Sequence, residues 1–214
     1  MMQPLKALNL YSGIGGNRKL WQNVKVTAIE LNPVIAKIYQ DFFPDDTVIV
    51  TDAHEYLLSH FKEYDFIWSS PPCPTHSRAR YWGYGSGKIQ AVYPDITLYQ
   101  EIIFLQHFAK GLWVVENVQP YYIPLIPGKA IGRHLFWSNF NIPVIETEDA
   151  DINQGNISEW QKLHGFDISN YKLNTRRDKV LRNCVFPDLG LHILNSALGV
   201  VPPMQEGLFA ENEN

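Results

Sequence analysis

Short apolar, β-branched runs alternate with helix-patterned stretches through the first half of the chain, and each run stops at a glycine or a polar residue. Such alternation implies parallel βαβ units, because two parallel strands need a crossover long enough to hold a helix. Lys6 to Tyr11 is the first run and ends at Ser12-Gly13-Ile14-Gly15-Gly16; Val24 to Glu30 is the second. Asn32-Pro33 then supplies an N-cap and a proline for the first helical position, opening a helix through Ile35, Ile38 and Tyr39 that stops at Pro44. A third strand, Thr47 to Val50, ends at Thr51-Asp52, and a helix from about Glu55 to Phe61 leads to a fourth, Asp65 to Trp68. Asp95 caps a helix with Leu98, Ile102 and Leu105 at helical spacing, and a fifth strand, Leu112 to Val115, terminates at Glu116-Asn117. The expected class is α/β, a doubly wound Rossmann-like sheet with helices on both faces. In such sheets ligands bind beyond the carboxyl ends of the strands, so the residues ending each run are the functional candidates.

The 214 residues allow one generous domain with a buried core. A net charge of −4 argues against a general polyanion-binding surface, so any nucleic-acid contact must come from local cations. Those gather in Arg78 to Lys88 and, most densely, in Lys172 to Arg182. No apolar run approaches the roughly 20 residues that span a bilayer, and the first residues lack a signal peptide's apolar core, so a cytoplasmic chain without membrane partners is expected. Cys73 and Cys184 are the only cysteines, which leaves no disulfide framework and no thiolate metal cluster.

The glycine-rich segment Tyr11 to Gly16 lets backbone approach a ligand closely, although an ordinary strand-to-helix turn uses the same residues. Glu30 stands where an acid accepts hydrogen bonds from ribose hydroxyls, or where it simply precedes a helix dipole; Asp52 has the same two readings, ribose-side acid or helix cap. Three such features at consecutive strand ends describe a nucleoside-type pocket. No Gly-Lys-Ser/Thr is present, which disfavours a P-loop hydrolase. Pro71-Pro72-Cys73 holds a thiol on a rigid turn past the fourth strand, and Glu116 brings a carboxyl group towards the same cleft. Cys184 reads as a small buried hydrophobe.

The order of these motifs resembles the DNA cytosine-5 methyltransferase family. Tyr11 to Gly16 looks like its aromatic-x-Gly-x-Gly cofactor motif, Pro71-Pro72-Cys73 like its nucleophile motif, and Glu116-Asn117-Val118 like its Glu-Asn-Val motif. The resemblance implies a class I S-adenosylmethionine-dependent methyltransferase sheet over residues 1–140. It implies S-adenosylmethionine contacts from Tyr11, Ser12, Gly13, Ile14, Gly15, Gly16, Glu30, Leu31, Asp52, Ala53 and Pro71, with Tyr11 stacked near the adenine. It further implies that Cys73 attacks C6 of cytosine as a thiolate while Glu116 hydrogen-bonds N3 and the exocyclic amine. Arg133-His134 resembles the family's later arginine motif, which places Arg133 near the pyrimidine carbonyl with a histidine where a second arginine is usual. A thiol of ordinary pKa is only a few per cent thiolate at neutral pH, so the site is expected to lower that value or take up a proton during attack.

The target base must be flipped out or already unpaired, because a stacked base cannot present C6 to a thiol. Ser77 to Lys88, with Arg78 and Arg80, rings and glycines, is expected to be a flexible loop closing over it. Ser77, Arg78, Arg80, Asn117, Arg176 and Arg177 are the candidate substrate contacts, and DNA is the expected partner. The chain departs from the family at Pro74, where a glutamine is usual, at His76, where an aromatic is usual, and at Leu198 to Pro203, which only approximates the last motif. Where the family inserts a target recognition domain, residues 141–171 form a short segment, followed by a basic segment, 172–204, packing back on the catalytic domain and a tail, 205–214. Target reading then falls to the basic cluster or to a second subunit. A methyltransferase acting on RNA or on an exocyclic amine, and a catalytically impaired cofactor-binding subunit, stand as the alternative readings. The family suggests a phage or restriction–modification setting.

Overall fold

A computed structural model describes residues 3–145 and 156–200. Strands β1 (Leu5–Leu10), β2 (Val24–Ile29), β3 (Thr47–Ile49), β4 (Phe66–Ser69) and β5 (Leu112–Val118) are mutually parallel neighbours in the order β3-β2-β1-β4-β5. Two antiparallel strands, β7 (His134–Ser138) and then β6 (Lys129–Ile131), extend the sheet beyond β5. Between β1 and β4 the order reverses direction, and there the crevice opens that doubly wound sheets use for ligands.

Alternation along each strand decides which residues meet which helices. In β1, Ala7 joins a core with Val26, Trp68, Tyr39 of α1 (Pro33–Phe42) and Leu189 and Ile193 of α7 (Pro187–Ala197). Its neighbour Leu8 joins the opposite core with Ile67, Val115, Leu57 of α2 (Ala53–His60) and Ile102 and Leu105 of α4 (Thr97–Phe108). Helices therefore cover both faces, as expected. Asn32 caps α1 as its sequence implies, its side chain accepting from the Val34 N–H with Pro33 in the first turn. Asp95 accepts from the Thr97 N–H at the start of α4.

Helices α5 (Ile157–His164) and α6 (Arg177–Arg182) pack on the glycine segment and α1. Trp160, Phe166, Ile168 and Leu181 share a buried cluster with Ile14, Ile35 and Ile38. Each fully buried side chain of this size contributes about 1.5–3 kcal/mol. Polar ties reinforce the contact: Asn32 and Asn174 exchange amide hydrogen bonds, and the Tyr171 hydroxyl donates to Asp41. This C-terminal layer forms one wall of the crevice.

Two expectations need correction. The segment Ser77 to Lys88 is not a loop, because helix α3 (Arg78–Gly85) occupies most of it, capped by the Ser77 hydroxyl accepting from the Arg80 N–H. Gly83 does not break it, since that glycine is where Ile89 packs against the helix. The fifth strand also runs past its predicted stop, so Glu116 and Asn117 lie within β5, paired with β7. The acidic stretch Glu146 to Asp151, residues Pro202-Pro203 and the tail lie outside the described residues. Among the described residues no helix is long and apolar enough to cross a membrane.

Candidate active site

The crevice is a cleft of about 510 Å³ whose lining comes from the carboxyl ends of the five parallel strands, the start of β7 and the C-terminal layer. Tyr11, Ser12, Gly13, Ile14 and Gly16 follow β1; Glu30 and Leu31 follow β2; Asp52 and Ala53 follow β3; Pro71, Cys73 and Pro74 follow β4. Glu116 and Asn117 enter from β5, Arg133 and His134 from the start of β7, and Lys179, Arg182 and Cys184 from the C-terminal layer.

Along the glycine segment the roles divide. Gly13 adopts a φ of +54° and a Cβ there would meet nothing, so it is the glycine that opens backbone to the cleft. Gly15 instead makes room for Phe43 and Tyr39, and Gly16 for the Val185 carbonyl and Cys184. Gly15 thus serves packing, in place of the ligand contact expected of it. Tyr11 also adopts a left-handed φ, of 55°, and its hydroxyl donates to Glu101 Oε1 at 2.6 Å. Glu101 is fully buried and holds His54 and the Ser69 hydroxyl as well, so a carboxylate beneath the sheet end clamps the turn that bears Tyr11. Nothing local in the sequence marks Glu101 or His54, because the contacts they make join residues far apart in the chain.

Glu30 accepts the N–H of Gly13 on one oxygen, at 3.0 Å, and that of Asn32 on the other, at 2.9 Å. Burial raises its pKa, and those backbone hydrogen bonds oppose the rise. It ties the glycine turn to β2 and lines the cleft. Asp52 caps α2 by accepting from the Glu55 N–H while also lining the cleft. Leu31, 66% exposed, forms an apolar rim. The Ser12 hydroxyl is buried in this lining with no partner among the described residues. An orphan hydroxyl, an exposed backbone turn, two acids and an apolar rim are the donor set that a nucleoside-bearing amino acid such as S-adenosylmethionine requires.

At the other end stand Cys73 and Glu116. The Pro71 carbonyl accepts from Asn117 Nδ2 at 2.9 Å, which fixes the proline turn to β5. Asn117 is therefore a buried brace that also lines the cleft. Burial and then the Glu116 charge push the Cys73 thiol above its ordinary pKa, against the pull of Arg133 and Lys179. The lowering that the chemistry led us to expect is not found. For Glu116, burial disfavours the charge, but the adjacent His134, hydrogen bonds from His134 and Ser70, and Arg133 outweigh it and hold the carboxyl below its ordinary value.

His134 Nδ1 lies 2.6 Å from Glu116 Oε1, and both side chains are buried. Arg133, expected as a catalytic group, donates to the backbone carbonyls of Arg182 and Cys184 and braces the C-terminal layer. His134 sits opposite Val118, on the face of β5 that Glu116 shares, whereas Arg133 stands in the turn before β7 and lines the cleft from there. From the C-terminal basic cluster it is Lys179 and Arg182 that reach the cleft. Arg176 is paired with Asp178, and Arg177 donates to the Ser169 and Tyr171 carbonyls, so neither is in the lining.

Outside the lining, α3 carries cations and bare rings. Tyr81, Trp82 and Tyr84 are 57%, 66% and 55% exposed, Tyr81 stacks on Tyr121, and Arg78 donates to Gln119. Ser77 bridges to Pro120, and His76 is buried with its Nδ1 2.6 Å from the Tyr122 hydroxyl, so the helix is anchored to the segment that follows β5. Arg80 is partly buried, its Nε without a partner among the described residues.

Comparison with known proteins agrees with this arrangement. A family model described as C-5 cytosine-specific DNA methylase matches residues 5–119, which carry every strand-end motif above. The tRNA (cytosine(38)-C(5))-methyltransferases of Bos taurus and Homo sapiens are 33% and 32% identical to this chain over 84 residues. That stretch is 36% of this chain and 22% of the length of each relative. Among solved structures, the Entamoeba histolytica methyltransferase EhMeth superposes with a TM-score of 0.51 at 11% identity, covering 92% of this chain and 99% of that one, a likeness of fold. With the match running from β1 through the cofactor turn and the proline-held thiol to the Glu-Asn-Val strand, the chain belongs to the C-5 cytosine-specific DNA methylase family, and S-adenosylmethionine is its cofactor.

Proposed function

We propose that the chain methylates C5 of cytosine in DNA through a covalent bond between Cys73 and C6 of a base flipped into the cleft. What carries this reading is the presence of Cys73 and Glu116 in one cleft with the glycine turn and Glu30. S-adenosylmethionine supplies a methyl group on a cationic sulfur, which needs an electron-rich acceptor carbon. Cytosine C5 is not one until a nucleophile adds at C6, and Cys73 is the nucleophile that faces the cleft. Glu116 would hold N3 and the exocyclic amine in place, and a proton on N3 makes addition feasible. Tyr11, Ser12, Gly13, Glu30, Leu31 and Asp52 would hold the cofactor. Lys179 and Arg182 at the cleft, and Arg78, Arg80 and the open rings of α3, offer phosphate and base-stacking contacts. With residues 141–171 in place of a recognition domain, target choice would rest on those contacts or on a second subunit.

The test is an oligonucleotide carrying 5-fluorocytosine, offered with S-adenosylmethionine. A stable adduct with the chain, absent in Cys73→Ser, is expected; methyl transfer that survives Cys73→Ser refutes the covalent mechanism. The similarity to tRNA methyltransferases supports RNA as a second acceptor, and competition between DNA and RNA oligonucleotides of one sequence decides between them.

A further inference from the structure

Among the described residues five side chains of Phe, Tyr and Trp are exposed, and four of them, Tyr81, Trp82, Tyr84 and Tyr93, lie between positions 81 and 93. Residues 77–93 also carry Arg78, Arg80 and Lys88 and no carboxylate, in a chain of net charge −4. The surface is held in place. The Cys73 carbonyl accepts the N–H groups of His76 and Ser77, at 3.0 and 3.1 Å, so α3 starts from the turn that bears the thiol. The Tyr81 ring stacks on that of Tyr121, 5.2 Å between centroids and 9° from parallel. Beyond the helix the chain turns back: Lys88 and Ile89 donate to the Gly83 carbonyl, and the Asp95 N–H donates to the Thr75 hydroxyl. Tyr93 stands on this return segment. Exposed rings gathered in this way mark a binding surface. Ring faces interleaved with cations suit a ligand that alternates flat groups with anions, as a nucleic-acid strand does. A duplex keeps its base faces inside its own stack and presents edges and phosphates, whereas an unpaired strand presents the faces as well.

We propose that α3 and its return segment form a platform for single-stranded DNA: unpaired bases stack on Trp82, Tyr84 and Tyr93, and Arg78, Arg80 and Lys88 hold the phosphates between them. The acceptor is then a cytosine already free of a partner strand; as a statement about the acceptor, this rests on the cytosine-C5 reading above. The eight residues of α3 rise about 12 Å, the length of about three stacked steps of a strand. Because the helix starts from the nucleophile's turn, a strand lying along it leads a base towards the cleft. Such a strand spares the protein the unpairing and unstacking that a duplex imposes before its base can be reached.

Binding is measured by fluorescence anisotropy, without cofactor and at one salt concentration, for a labelled cytosine-containing DNA offered as a single strand and as a blunt duplex. The single strand is expected to bind at least about tenfold more tightly. Trp82→Ala and Tyr84→Ala should each weaken its binding about tenfold, the effect of one stacked base, and leave duplex binding unchanged, while Trp82→Phe keeps a ring and most of the affinity. Lys88→Gln should reduce the slope of log affinity against log salt by about 0.7, one phosphate contact on a single strand. Urea midpoints and S-adenosylmethionine calorimetry matching wild type establish that each variant is folded. A duplex held as tightly as the single strand overturns the proposal, and so do alanine variants that hold the single strand as wild type does. An RNA strand of the same sequence held tenfold tighter overturns it in favour of RNA. The reaction is followed separately, with 5-fluorocytosine in each DNA and S-adenosylmethionine present. Adduct formed faster on the duplex than on the single strand sinks this inference alone; no adduct on either, with the single strand bound through these rings, sinks the cytosine-C5 reading and leaves the platform.

Discussion

Replacing His164 by phenylalanine should make the protein resistant to mild acid. His164 ends α5, is 1% exposed, stacks on Phe186 at 5.0 Å between centroids and has no partner for either ring nitrogen among the described residues. Burial, assisted by the charge of Arg133, lowers its pKa from 6.5 to about 4. A base whose folded value is depressed favours folding above the unfolded value and loses that advantage as pH falls, because the unfolded chain takes up the proton first. A gap of about 2.5 pH units, at about 1.4 kcal/mol per unit, makes about 3 kcal/mol lost once pH is below both values. At pH 5 the loss is about 2 kcal/mol, a large part of a stability of roughly 5–15 kcal/mol. His164→Phe keeps a ring on Phe186 and removes the titration. Urea unfolding followed by tryptophan fluorescence at pH 7 and pH 5 should show the variant gaining about 2 kcal/mol on wild type between the two, whatever the other titrating groups contribute. A difference between the proteins that does not change with pH refutes the reasoning. The effect reaches the active site, because Phe186 also lies under the Arg133 guanidinium that braces the C-terminal layer.

Gly16→Ala would put a Cβ 2.5 Å from the Val185 carbonyl and should lower stability by about 1–3 kcal/mol in thermal unfolding. Gly13→Ala meets nothing and should cost only the left-handed strain of about 1–2 kcal/mol, yet weaken S-adenosylmethionine binding more than Gly16→Ala does when both are measured by calorimetry. Tyr11→Phe removes a 2.6 Å bond to the buried Glu101, worth about 1.5–3 kcal/mol for a charged acceptor, and should loosen cofactor binding by calorimetry while the sheet's circular dichroism is unchanged. Because the Cys73 pKa is raised, its alkylation by iodoacetamide, followed by peptide mass mapping, should still climb about tenfold per pH unit near pH 9, where the climb of an ordinary thiol is already flattening.

Strand ends were legible because parallel strands buried on both faces read as continuous apolar runs, so the polar residue that stops each run stands out. Glu30, Asp52, Cys73 and Glu116 were found this way and share one cleft. The helix at Arg78 to Gly85 was hidden by its two glycines and its rings, although Ser77 carries the capping signal. His134 was hidden for another reason. Its meeting with Glu116 depends on the antiparallel register of β5 and β7, a long-range fact with no local trace. Its one local mark is that a polar residue heads the apolar run Leu135-Phe136-Trp137, and Arg133 beside it carries the same mark. Lys179 and Arg182 reach the site together because, three residues apart on α6, they share one face of that helix.

The resting charges of the cleft are the reverse of those that addition uses: the thiol is held neutral and the carboxyl ionised. The two are linked, because the Glu116 charge is, after burial, the larger cause of the raised thiol value. A base that takes a proton onto N3 beside Glu116 sets a positive charge against that carboxylate and so offsets an obstacle to the thiolate at the moment it is needed. Cytosine can do this, since its N3 is an acceptor. Uracil cannot, since its N3 already bears a hydrogen that donates to the carboxylate and leaves it charged. On the proposed mechanism, then, discrimination between the two bases belongs to the addition step itself and not only to binding. Oligonucleotides identical except for 5-fluorocytosine or 5-fluorouracil at the target, compared at saturating concentration, should form the Cys73 adduct at rates differing by about a hundredfold or more in favour of the cytosine, in line with the loss of a proton-transfer partner. Equal rates of adduct formation would mean that the thiol is activated without Glu116, and the coupling argued from these two shifted groups would be wrong.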